Sequence, residues 1–181
     1  MRALAAATLL LAAAPAGAQL RQESFTCTAE ASGAGLTART QRLLDRRGEL
    51  SRGTTSIDLP LSGAAGTLQA SWQVRDGLPE VARGTYLFRL APAPDASWQL
   101  AALGKPLRAK DGALSLGGEQ FAALLASGAP IQLILAGRDG RERARATLDR
   151  SMFDAGIDLA RQSDARGLAR SADYRSCGKG G

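Results

Sequence analysis

Two cysteines, Cys27 and Cys177, stand near opposite ends of a 181-residue chain. In an oxidising compartment an isolated pair of this kind usually joins as a disulfide rather than serving redox or metal chemistry. The bond would close a loop of about 150 residues and contribute up to about 5 kcal/mol in the chain-entropy account. It would also force the two ends of the domain to meet. There is no Cys-x-x-Cys and no His anywhere to complete a zinc set. The expectation is a structural clamp, with no metal and no cofactor.

The compartment is read from residues 1–18. Arg2 precedes an uncharged run rich in Leu and Ala, Pro15 breaks it, and Ala16-Gly17-Ala18 supplies small residues at −3 and −1. These parts in this order form a secretory signal peptide, with Gln19 as the new N-terminus. The run is shorter than the roughly 20 apolar residues a bilayer span needs. No Cys follows it and no Arg pair leads it. The expected location is therefore the periplasm, or outside the cell, with no transmembrane segment after cleavage.

The 163 residues that remain suffice for one domain with a sizeable core. Of 23 Lys and Arg, loss of Arg2 leaves 22 against 17 Asp and Glu. That surplus favours anionic partners such as lipid head groups or cell-wall polymers. Arg outnumbers Lys by 20 to 3, a bias typical of a high-GC genome, which weakens the functional meaning of any single Arg. Four Phe, two Trp and two Tyr are sparse for stacking on nucleic acid, so no specific nucleic-acid partner is expected.

Strand patterns dominate. Ser24–Ala31, Thr54–Leu61, Thr67–Val74, Gly84–Leu90 and Ser97–Leu103 carry β-favouring or alternating residues between turn signals. Leu36–Leu44 fits a helix or a strand, and the strand is favoured. Leu107–Leu116 reads as a hairpin around Asp111-Gly112. Gly118–Ser127 reads as a short helix with Phe121, Leu124 and Leu125 inward and Gly128 ending it. Pro130–Ala136, Arg138-Asp-Gly140 and Arg141–Leu148 form the clearest hairpin. Ser151 and Asp154 suggest a capping box opening a second helix through Gln162, which buries Phe153, Ile157 and Ala160. Beyond Ser163 the chain reads as polar loop, and 178–181 as a disordered tail. The fold class expected is mainly β with two short helices (α+β): an antiparallel, sandwich-like single domain over 19–177, closed by one disulfide.

Without His, Ser–His and Cys–His nucleophilic sites are excluded. Ser176-Cys-Gly-Lys179 matches S-x-x-K, but it lies in a Gly-rich tail rather than at a helix start. Gly33-Ala-Gly-Leu-Thr-Ala38 mimics a dinucleotide fingerprint, but a βαβ unit is missing. Asp149, Asp154 and Asp158 lie close, but a cap and an Asp158–Arg161 pair account for the last two. One feature points to binding. If 141–148 is a strand, Arg141, Arg143 and Arg145 share a face at about 7 Å spacing, able to meet separate phosphates or carboxylates. The competing role is an edge strand charged against aggregation.

From Phe121 the order is helix, Gly turn, apolar strand, charged turn, strand, then Leu-Asp-Arg-Ser-Met-Phe-Asp-Ala opening a helix. This third of the chain resembles the C-terminal part of periplasmic proteins of the invasion-associated locus B type. Leu148 and Phe153 carry the likeness. Arg150 stands where that family often has Gly, and the N-terminal half lacks its aromatic and Cys pattern. The resemblance implies a non-enzymatic exported β-sandwich and transfers no functional residue. The sequence thus points to a periplasmic binding or envelope-associated module whose partner is an anionic envelope component or another periplasmic protein. Its alternatives are a carboxylate-dependent enzyme on envelope glycans and an accessory subunit of an envelope complex.

Overall fold

Leu36, Ala38, Thr40, Arg42 and Leu44 point one way and are buried, while Thr37, Arg39 and Gln41 point the other way and are exposed. That period of two settles the ambiguous segment as a strand. The computed structural model describes residues 24–64, 66–74, 79–91, 95–103 and 113–180. The expected leader, the polar 19–23, the turn at Asp76-Gly77, the stops at Pro94 and Gly104–Pro106, and the first arm of the Asp111-Gly112 hairpin lie outside these residues.

The strands are β1 (Ser24–Gly33), β2 (Leu36–Leu44), β3 (Leu50–Pro60), β4 (Gly66–Gln73), β5 (Gly84–Leu90), β6 (Ala96–Leu100), β7 (Ala113–Gly117), β8 (Ile131–Gly137), β9 (Glu142–Leu148) and β10 (Gly178–Gly180). The helices are α1 (Gly118–Ala126) and α2 (Arg150–Ser171). Seven strands form one antiparallel sheet in the order β10-β1-β2-β3-β4-β5-β7, and β6-β8-β9 form a second. The protein is mainly β with two helices, as its patterning predicts. One bridge, Ser62 to Thr147, ties the sheets through backbone bonds of 2.9 and 2.8 Å. Among the described residues, no helix is long and apolar enough to cross a membrane.

A single large core draws on both sheets and both helices. At its centre Tyr86 of β5 stacks on Phe121 of α1 at 3.8 Å, and Phe121 meets Phe153 of α2 at 5.2 Å. The polar tips of the aromatics find carbonyls: Tyr86 Oη donates to Val81 O and Trp72 Nε1 to Glu80 O. Burial drives the Tyr86 hydroxyl well above the ordinary tyrosine range, so it stays neutral.

Several boundaries differ from the sequence expectation. β6 stops at Leu100, and Ala101–Leu103 form a 3-10 turn. Ala113–Gly117 pairs with β5. The cap of α2 is Asp149, whose carboxylate accepts from the amides of Ser151 and Met152 and from Ser151 Oγ. Asp154 instead pairs with Arg150, so the expected capping box is absent.

α2 also runs nine residues past Gln162, to Ser171. This stretch reads as polar because what it buries is small or charged: Ser163, Asp164 and Gly167. Gly156, Ala160, Ser163 and Gly167 make a smooth stripe that lets α2 sit close on the sheet. A Cβ on Gly167 would stand 2.9 Å from Thr40 Cγ2, and one on Gly156 3.0 Å from Leu59 Cδ2.

The C-terminal residues Gly178–Gly180, expected to be disordered, pair with Ser24–Thr26 as β10. The bond between Cys27 and Cys177 is present and places this tail beside β1, so little further chain entropy is needed to dock it.

Candidate functional site

The Arg141, Arg143, Arg145 row is not assembled as three evenly spaced free cations. β8 and β9 are joined by Arg138-Asp139-Gly140-Arg141, where Gly140 adopts φ +74° and Gly137 N donates to Arg141 O. Arg141 therefore belongs to the hairpin loop and precedes β9. The ladder slips where Ala136 faces Glu142 and Leu135 faces Ala144, leaving Arg143 as the extra residue of a bulge. Alternation, which the even spacing depends on, fails at that point. Arg143 pairs with Asp139 at 3.3 Å. Arg145 takes Glu142 through two bonds of 3.0 and 2.8 Å and Gln132 through a third of 2.6 Å. Those bonds hold the Glu142 carboxyl below its usual range. Neighbouring Arg138 reaches Asp95. Three of the four guanidiniums of this hairpin are thus in ion pairs.

A different set of cations gathers at the end where the disulfide sits. Asp45 turns β2 into β3, with its carboxylate accepting from the amides of Arg47 and Glu49. These bonds, ahead of the charges of Arg47 and Arg46, hold that carboxyl below its usual range. Tyr174 lies on this turn. Its hydroxyl faces Arg46 O, its ring meets Phe25 edge-on at 5.1 Å, and the Arg175 guanidinium stands 5.8 Å from it. Lys179 is opposite Phe25, and Thr26 is opposite Leu43, which is opposite Arg52. Arg46, Arg47, Arg52, Arg175 and Lys179 are thus brought to one end of the sheet, and among the described residues none is in an ion pair. Three carboxylates share this end: Asp45, Glu49 and Asp173. A depression of about 280 Å³ opens here, lined by Thr26, Gln41, Leu43, Arg52, Gly53 and Thr54.

Sequence reasoning missed this cluster because its members come from two segments more than 120 residues apart. The available signal was the cysteine pair itself. Once Cys27 meets Cys177, cations flanking Cys177 must stand near those of the strands beside β1.

The remaining motifs resolve as structure. Ser176 closes a 3-10 turn by donating to Asp173 O, and Lys179 is in β10. Ala34 and Gly35, at φ 51° and 75°, make the two-residue β1–β2 turn. Asp158 pairs with Arg161. Asp164 is the buried carboxylate among the described residues, and its partner is Arg42 rather than a second acid. Among those residues, no group of His, Cys, Asp and Glu could hold a metal ion. Comparison with known protein families, curated proteins and solved structures finds no match to this chain.

Proposed function

We propose that the protein is an exported, non-enzymatic binding module of the bacterial envelope that engages anionic polymers through its disulfide-bonded end. In this reading residues 1–18 are removed as a signal peptide and the chain matures in the periplasm or beyond. The likeness of its C-terminal third to invasion-associated locus B type proteins belongs to the same proposal. The observation that carries it is the placement of Arg46, Arg47, Arg52, Arg175 and Lys179 at one end of the sheet, on its turn and its two faces, without ion-pair partners among the described residues. Cations held on a rigid sheet end and a tight turn add their fields at a polyanion, and salt weakens that attraction.

The test is retention on phosphocellulose along a salt gradient. The variant Arg46→Ser/Arg47→Ser/Arg52→Ser/Arg175→Ser should elute well before the native protein. Arg138→Ser/Arg141→Ser/Arg143→Ser/Arg145→Ser removes the same four charges and should shift elution less, because three of those guanidiniums already hold carboxylates. Equal shifts, or a larger one for the hairpin variant, reject the disulfide end as the site.

A further inference from the structure

β1 is the penultimate strand of its sheet, but β10 covers it only over Ser24–Thr26. Among the described residues its outer side is a sheet edge from Thr28 onward, and such edges invite further strands unless blocked. β1 contributes little blocking of its own there: Thr28-Ala-Glu-Ala-Ser-Gly33 has no Lys and no Pro, and Glu30 is engaged by Arg39. The block comes from α2. Arg170 Nη1 donates to Thr28 O and Arg166 Nη1 to Glu30 O, each at 2.6 Å. The two arginines are one helical turn apart and the two carbonyls two strand residues apart. One helix side therefore matches one strand edge. Ser163 Oγ reaches Ala29 O from the buried side of the helix and fixes α2 along β1.

We infer that Arg166 and Arg170 form a built-in seal on the β1 edge, and that losing them turns this edge into an acceptor for the same edge of a second copy. Backbone groups alternate along a strand, so the Thr28 and Glu30 amides face outward with their carbonyls. A facing β1 could use both sets. The partner is a second copy because the exposed element would be the same in every molecule, and antiparallel pairing of an edge with itself closes a two-fold dimer.

The experiment measures molar mass by light scattering on a sizing column at several concentrations. Arg166→Ala/Arg170→Ala should move from the mass of the native protein to twice that mass as concentration rises. Adding Glu30→Pro, which removes an outward amide while sparing the β2 ladder, should restore the native mass. Arg161→Ala, on the same helix but paired with Asp158, should leave the mass unchanged. If the alanine pair unfolds, Arg166→Met/Arg170→Met keeps the apolar stems without the donors and is read the same way. A native mass for the seal variant at every concentration overturns the inference, as does association that Glu30→Pro fails to reverse.

Discussion

Arg42 on β2 and Asp164 on α2 are 122 residues apart in sequence and meet at 3.2 Å, both buried. The pair pins the helix to the sheet within a few residues of Gly167, and it does so at a cost. Arg42 Nε has no hydrogen-bond partner, and burial raises the Asp164 carboxyl above its usual range by more than Arg42 lowers it. A pair balanced in this way contributes more to fixing α2 in register than to net stability.

Breaking it on one side should therefore be costly, and replacing both sides cheaper. Arg42→Met should destabilise by about 3 kcal/mol, and Arg42→Met/Asp164→Leu should recover most of that loss in urea denaturation. The pH dependence has a definite sign. Asp164 holds its proton more tightly folded than unfolded. Its contribution is complete below the ordinary value of 3.8 and is lost as pH rises through the raised folded value. Going from about pH 7 to about pH 4, the stability difference between native protein and Asp164→Asn should move in favour of the native protein.

The first turn of α2 makes the opposite prediction. Hydrogen bonds from Ser151 and Met152 hold the Asp149 carboxyl below its usual range. Its stabilising contribution is present above the ordinary value and disappears as pH falls through the lowered one. Asp149→Ala should lower the thermal midpoint at neutral pH, and Asp154→Ala, which breaks one exposed pair with Arg150, should leave it nearly unchanged.

Close helix–sheet contact sets a third expectation. Gly167→Leu must displace Thr40 or lift α2, and should cost about 1–3 kcal/mol even though leucine is the better helix former. Gly128→Ala is a contrasting case: a Cβ there meets nothing within 4 Å, so any cost comes from its φ of +71° alone.

The clamp gives the fourth. Cys27→Ser/Cys177→Ser should lose about 2–5 kcal/mol in denaturant unfolding. Amide exchange should rise first at Ser24–Thr26, where β10 depends on the adjacent bond for its place.

Strands were legible because alternation is a local signal: Leu68, Ala70, Trp72 and Val74 announce their buried face without reference to anything distant. α2 was half legible. Phe153, Ile157 and Ala160 declare its first turns, but Ser163, Asp164 and Gly167 look like loop residues until Ala29 O, Arg42 and Thr40 are placed opposite them. The Arg row misled because a bulge at Arg143 and a four-residue loop, neither readable from charge alternation, end the regular spacing. The basic end was invisible for a related reason: Arg46 and Arg175 become neighbours only through Tyr174 and the disulfide.

The proposed site depends on the C-terminal segment being fastened to β1, since the gathered cations and β10 follow from that one join. The most direct measurement is the intact mass of protein recovered from its native host, taken before and after thiol alkylation without reductant. The account predicts a chain beginning at Gln19 that takes up no alkyl group. A chain that retains Met1, or a folded product that gains two alkyl groups, contradicts it.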